Sequence, residues 1–325
     1  MTKINKKHLP LYFSSAVIIL LIVVFSLIES RFLNAANMAN LLSDAAPLLI
    51  MAAGMTPVLL LGSIDLSVGS VCSVANVFAL TILLSFQGTH WTLGTAVLVS
   101  FGLTALAAIA AGAIMGLVHV KLKIPSFIAT LAFMSIWSSV ALLISSAPIA
   151  IPRQLWGMVA WYDISVGPFS LPLFIALLFI VIYYVILTRT VFGRGIYAIG
   201  GNERCARIAG VPVDRVKVSV FAINAFCAAL ASIFLVAKAK SAAPTVGDGF
   251  TLMVIAAVVL GGTSLVGGVG NVINTIFGVF IVALISNGMN IIGVDVFWQR
   301  IVFGVILLVA VAINTDRTSR SIAVK

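Results

Sequence analysis

The chain has 325 residues, of which 62% are hydrophobic, with 19 basic and 9 acidic side chains. Charged residues make up only 9% of it, against about 25% in an average soluble protein. So few charges cannot cover a water-facing surface. A soluble enzyme, a nucleic-acid-binding domain and a disordered chain are therefore excluded, and the net charge of +10 has to be explained by topology. The composition predicts an all-α, polytopic membrane protein with about ten spans.

Apolar runs long enough to cross a bilayer, about 20 residues each, fall near Leu11–Ile28, Leu41–Leu61, Leu66–Phe86, Leu93–Val120 and Ser126–Ser146. Five more fall near Leu171–Leu187, Val218–Ala237, Phe250–Leu265, Asn271–Met289 and Phe297–Ile313. Grouping neighbouring runs differently gives nine to eleven spans. The first run follows Lys3, Lys6 and Lys7 but is longer than a signal-peptide core and has no clear cleavage site after it, so it reads as a retained span. Residues 1–325 read as one transmembrane domain with a long cytoplasmic connection at 188–217.

Charge fixes the expected orientation. With the N-terminus in the cytoplasm and ten crossings, fourteen of the 19 basic residues fall inside and four (Arg31, Arg153, Lys238 and Lys240) outside, while Arg300 lies just within the last span. That asymmetry is the positive-inside pattern, and it places both termini in the cytoplasm. Trp91, Trp156, Trp161 and Trp298 then gather at the outer interface, as an aromatic belt does. Cys72, Cys205 and Cys227 are far apart and His8, His90 and His119 sit near span ends, so no metal or redox site is expected.

Three polar stretches interrupt the apolar chain. The first is Gly62-Ser63-Ile64-Asp65-Leu66-Ser67-Val68-Gly69-Ser70. A carboxylate at this depth has to face water, protein or a cavity. Two readings stay open: Asp65 caps the third span, or the segment is a helix break beside a transport path, with Gly62, Asp65, Ser67, Gly69 and Ser70 as its lining.

The second stretch is the connection Thr188 to Lys217. Asn202 is a good N-cap, Glu203 suits the first turn of a helix and Arg207 the last. Gly210 fits a left-handed C′ position, Pro212 prevents continuation, and Asp214 is positioned to cap the seventh span. These signals predict a helix of about seven residues. A helix that short is marginal alone, so it either rests on its own membrane domain or docks in a groove of a cytoplasmic partner.

The third stretch is Gly261-Gly262-Thr263-Ser264-Leu265-Val266-Gly267-Gly268-Val269-Gly270-Asn271. It lacks Gly-Lys-Ser/Thr and lies between spans, so it is no phosphate loop. Gly261, Gly262, Thr263, Gly267, Gly268 and Gly270 instead suit tight helix crossing and a re-entrant turn. No nucleotide-hydrolysing motif and no nucleophile–base pair appears, so the chain is expected to be neither an ATPase nor another enzyme.

Taken in order, GSIDLSVGS, IPSFIATLAFMSI (Ile124 to Ile136), TVFGRGIYAIGGNERCARIAGV and IAAVVLGGTSLVGGVGN resemble the ribose-type permease subunits of bacterial ATP-binding-cassette importers. The resemblance covers nearly the whole chain. It implies an inner-membrane permease that pairs with a second permease chain, identical or different. It further implies a cytoplasmic ATPase using ATP-Mg, so that this chain binds no cofactor, and a periplasmic binding protein delivering a small polar solute, most often a sugar. The family's ATPase-docking segment maps onto Gly200, Gly201, Asn202, Glu203, Ala206, Arg207 and Gly210. This chain departs from the family pattern at Ser63, Ser126, Val269 and Thr251-Leu252-Met253. The rival reading is a secondary transporter driven by an ion gradient, which needs ionisable groups within the bilayer.

Overall fold

A computed structural model describes residues 9–88, 90, 92–167 and 169–314. The basic N-terminus, the last eleven residues and Trp91 lie outside the described residues, so the expected placement of both termini is not addressed there.

All ten expected spans form helices: α1 (Leu9–Ile28), α2 (Ala35–Leu60), α3 (Val68–Ser85), α4 (Leu93–Lys121), α5 (Ser126–Ile144), α6 (Leu171–Arg189), α9 (Val213–Ala239), α10 (Phe250–Leu260), α11 (Val272–Ile291) and α12 (Val296–Asn314). Two more helices, α7 (Val191–Gly201) and α8 (Glu203–Ile208), fill the connection between α6 and α9. Seven helices are long and apolar enough to cross a membrane, and α1, α10 and α12 contain shorter apolar stretches.

Three boundaries depart from the sequence reading. The second span starts at Ala35 because Asn34 caps it, its Oδ1 accepting from the Ala36 N–H. The seventh starts at Val213 rather than Val218. The eighth stops at Leu260 because Gly262 takes a left-handed φ of +85° and ends the helix. Between α5 and α6 lies a capping layer that the hydropathy pattern does not announce. Strand β1 (Ile149–Ala150) pairs antiparallel with β4 (Ser241–Ala242), and β2 (Ser165–Val166) pairs with β3 (Phe169–Ser170). Two turns of 3-10 helix, Arg153–Met158 and Ala160–Asp163, complete it.

The helices divide into an inner and an outer set. In α2, 83% of the apolar window is buried within the chain, against 17% in α5 and 22% in α4. The core therefore forms around α2, α3, α9 and α11, and the exposed apolar faces of α4, α5 and α12 are left for lipid or protein.

With lipid tails as apolar as leucine, close backbone approach and internal hydrogen bonds hold such helices together. Gly112 of α4 illustrates the first: a Cβ there would lie 2.5 Å from the Phe221 carbonyl oxygen and 2.7 Å from the Ala225 methyl of α9. Asn76 illustrates the second. It donates to the Ser232 carbonyl at 3.1 Å and accepts from the Ala243 N–H at 2.8 Å, tying α3 to α9 and to the residue that follows β4. The Thr56 and Thr275 hydroxyls meet at 2.9 Å between α2 and α11.

Gly112→Val should separate α4 from α9 and cost about 1–3 kcal/mol, the usual range for overpacking. The check is the melting temperature of the detergent-solubilised protein, read by fluorescence size exclusion. A melting temperature equal to that of the unsubstituted chain would show that the α4–α9 contact is not tight.

Candidate functional site

Helix α8 forms where its capping letters place it. The Asn202 side chain accepts from the Cys205 N–H at 3.0 Å. Gly210 takes φ +84°, with its N–H on the Arg207 carbonyl and the Val211 N–H on the Ala206 carbonyl. That pair of bonds is a Schellman ending, which satisfies the last carbonyls.

Asp214 departs from expectation. Pro212 holds the N-cap position of α9 without a side-chain bond, and Asp214 instead pairs with Arg207, Oδ1 to Nη2 at 2.7 Å. Arg207 also reaches Glu203 at 3.4 Å, and Lys217 reaches Glu203 at 2.7 Å. These ties lace α8 to the first turns of α9.

Burial raises the Glu203 carboxyl, but the Lys217 hydrogen bond and the Lys217 and Arg207 charges outweigh it and hold the group below the usual carboxylate range. A depressed carboxylate contributes stability above its unfolded value and loses it as pH falls through the folded one. The lacing is therefore complete at neutral pH and fails only in acid. Ala206 is buried, whereas Ile208 presents an apolar side chain that is 80% exposed.

Helix α7 escapes a propensity reading because four of its eleven residues are glycine, each costing about 1 kcal/mol relative to alanine in a helix. Tertiary contact explains their presence. A methyl on Gly193 would overlap the Leu187 carbonyl, and one on Gly200 would overlap the Leu60 carbonyl at the end of α2.

The three sequence-distant glycine motifs meet at this end of α7. The Gly268 N–H donates to the Leu60 carbonyl at 2.8 Å. A Cβ on Gly268 would lie 3.0 Å from the Gly201 Cα, and one on Gly62 would lie 2.7 Å from the Val266 carbonyl. The Tyr197 hydroxyl donates to the Gly270 carbonyl at 3.0 Å. The ends of α2 and α10 match residue for residue: Val58 and Leu59 accept from Ser63 and Gly62 as Val258 and Val259 accept from Thr263 and Gly262. The turn that follows α10 also leaves Val266 82% and Val269 65% exposed. Sequence reasoning passed over these two and Ile208 as site residues, because apolar letters in an apolar chain carry no contrast.

The break at 63–70 is largely buried. Ser67 takes the N-cap position of α3 without a side-chain capping bond. Asp65, 1% exposed, instead folds an Asx turn onto it. Its Oδ1 accepts from the Ser67 N–H at 2.8 Å and the Ser67 hydroxyl at 2.7 Å, and its Oδ2 accepts from the Asn224 amide at 2.7 Å.

Hydroxyls from other helices satisfy the loop amides. Ser126 and Thr130 of α5 accept from Ile64 and Leu66, and Thr251 of α10 accepts from Gly69. Asp65, Ser67, Gly69 and Ser70 are all buried inside the chain, so in this conformation they hold a helix break together rather than face open space. Gly62 alone of the group is exposed. No group of three or more potential metal ligands occurs among the described residues.

Residues 37–311 match the family model described as the permease component of the branched-chain amino acid transport system. This chain belongs to the permeases of the ATP-binding-cassette importers. It is 35% identical over 304 residues to the ribose import permease protein of Escherichia coli strain K12, covering 92% of each chain. It is 36% identical over 314 residues to the ribose import permease protein of Bacillus subtilis strain 168, covering 92% of this chain and 91% of that one. An inner membrane ABC transporter permease protein of E. coli K12 is 35% identical over 317 residues, covering 96% of this chain and 94% of that one. No solved structure matches. Members of the family are multi-pass transport components of the bacterial inner membrane, served by a separate ATPase and a binding protein.

Asp65→Asn should leave the folded yield near that of the unsubstituted permease, because the buried, unpartnered Asn224 Oδ1 can accept from the new amide after a flip. Asp65→Leu orphans three donors, at about 1–3 kcal/mol each, and should lower the yield of monodisperse protein severalfold. Equal losses in both variants, measured by size-exclusion fluorescence, would show that the network does not depend on hydrogen bonding.

Proposed function

We propose that this permease carries a small hydroxyl-rich solute, of the sugar class named for its ribose import relatives, across the inner membrane. A binding protein on the outer side hands the solute over, and a cytoplasmic ATPase that binds ATP-Mg drives the cycle. The segment Gly200 to Gly210 is the lever on which that ATPase acts. One observation carries the reading. Helix α8 is capped at both ends and laced to α9 by ion pairs, and it follows directly on a junction where α7 meets the end of α2 and the α10–α11 turn backbone to backbone. A push on α8 therefore reaches the membrane helices through groups that cannot yield by changing rotamer.

In this reading both termini and the α6–α9 connection face the cytoplasm, and the β1–β4 layer faces the binding protein. A second permease chain covers the outer set of helices. Support comes from α5, which leaves Ser135 and Ser139 exposed at helical spacing along a membrane-crossing helix. Hydroxyls there suit a protein or water-lined neighbour better than lipid. The buried break around Asp65 belongs to the lever's base: it ties α3, α5 and α10 to the loop that ends α2. Neither the family nor the geometry favours the ion-gradient reading.

Two measurements test this. Glu203→Ala combined with Arg207→Ala should lower solute uptake about tenfold, within the usual range of coupling energies, while basal ATPase activity of the reconstituted complex holds. Unchanged uptake would remove the lever role. Cys205 is exposed while Cys72 and Cys227 are buried, so a membrane-impermeant maleimide should label the chain in inside-out vesicles and not in intact spheroplasts. Labelling from the outer side would reverse the topology.

A further inference from the structure

At the end of the bundle opposite α8, the ends of α2, α9, α10, α11 and α12 enclose a cavity of about 340 Å³, within the size range of small-molecule sites. Its lining mixes charge with amides: Asp44, Lys238 and Arg300 gather there together with Ser286, Asn287 and Asn290. Its floor is apolar, built from Leu48, Met253, Val282 and the ring of Phe250.

The polar groups are held in place. Asn287 exchanges two amide hydrogen bonds with Asn37 of α2, at 2.9 and 3.0 Å. Gln299, 6% exposed, donates to the Asn290 side chain at 2.7 Å and to the Val294 carbonyl at 3.0 Å. Asp44 and Lys238 form an ion pair at 2.5 Å between α2 and α9. Each amide keeps donor or acceptor capacity beyond these bonds. At Gly249 a Cβ would meet nothing within 4 Å, so the missing side chain leaves room rather than allowing close packing.

We infer that this cavity is a solute-binding vestibule within the single chain, and that it takes one neutral, polyhydroxylated molecule of monosaccharide size. The chemistry decides the class. Fixed amides and both signs of charge offer paired donors and acceptors to a ring of hydroxyls, and the Phe250–Met253 floor offers an apolar surface to the ring face. A zwitterionic amino acid would have to compete with the Asp44–Lys238 pair, and a lipid chain would have to strand the amides. The inference rests on the solute-import reading and adds to it a holding point ahead of the membrane-crossing step, which raises the local concentration of solute released by the binding protein.

The test uses the full-length permease in nanodiscs without binding protein and measures equilibrium binding of radiolabelled D-ribose, with radiolabelled L-leucine as comparison. Saturable ribose binding is expected, weakened about tenfold or more by Gly249→Leu, which fills the space without a backbone clash. Arg300→Gln should weaken it by about the same factor, the fold-change of one charge-assisted hydrogen bond. Both variants must keep the unsubstituted size-exclusion profile; Arg300 is exposed, so it serves if Gly249→Leu misfolds. Absence of ribose binding, ribose binding indifferent to both substitutions, or preference for leucine would each overturn the vestibule. ATP-dependent uptake by the unsubstituted complex is measured in parallel. Its presence alongside any of those results removes the vestibule and keeps the permease reading, whereas its absence removes the permease reading itself.

Discussion

The contact on which the rest depends is made without side chains. The Leu60 carbonyl at the end of α2 receives the Gly268 N–H and lies against Gly200, where any Cβ would overlap it. Three segments separated by 140 and 68 residues thus share one point. Glycine is required there for two separate reasons. Gly200 sits in a helix where only the missing methyl lets α2 approach, and Gly268 has φ +73°, a conformation that costs other residues about 1–2 kcal/mol. Side chains elsewhere in the bundle can absorb a displacement by hopping between rotamers. A backbone-to-backbone junction cannot, which makes it the rigid point on which the proposed lever depends.

Burying polar groups in such an apolar chain is costly unless each finds a partner. Around 62–70 the cost is offset by borrowing: α5 supplies Ser126 and Thr130, α10 supplies Thr251 and α9 supplies Asn224. The helix break is thereby a joint among five helices rather than a loose loop. Among the described residues the bonds to Asp65 come from the N–H and O–H groups of Ser67 and the Asn224 amide, which fix the geometry of the break. The same logic gives Ser126 and Thr251 their part, since both act as acceptors for backbone amides of the break.

How much of this could be read from the letters depends on how local the cause is. The ten apolar helices, seven of them long enough to cross a membrane, were legible because apolar runs of about 20 residues favour membrane helices. Helix α8 was legible because Asn202, Glu203, Arg207 and Gly210 each act within one turn of their own position. Helix α7 was not: its glycines argue against a helix locally, and the reason for them lies at Leu60 and Leu187. Asp214 was misassigned for a similar reason, since a cap and an ion-pair partner look identical until Arg207 is placed beside it. The two-residue strands leave no periodicity to detect. The cavity opposite α8 was hidden because its lining comes from positions between 41 and 300, on five helices that only the fold brings together.

Helix α2 links the two ends physically. Its 26 residues span about 39 Å at 1.5 Å per residue, and the stretch from Leu60 at the glycine junction back to Asp44 at the cavity takes up about 24 Å of that. Between Leu49 and Leu60 it is almost wholly buried, so that stretch moves as one piece with the core. Two places lack an intrahelical hydrogen bond, at Pro47 and Pro57, and bending of a helix concentrates at such points. One adjoins the junction and the other lines the cavity. In the proposed cycle a displacement delivered at Leu60 passes along the buried segment to Pro47, close to the turn that holds Asp44 opposite Lys238. The ion pair between α2 and α9 lines the cavity, so a change of angle at Pro47 would move one of its two partners. This follows from where two prolines interrupt an otherwise buried helix, and it does not require any contact between the solute and the lever.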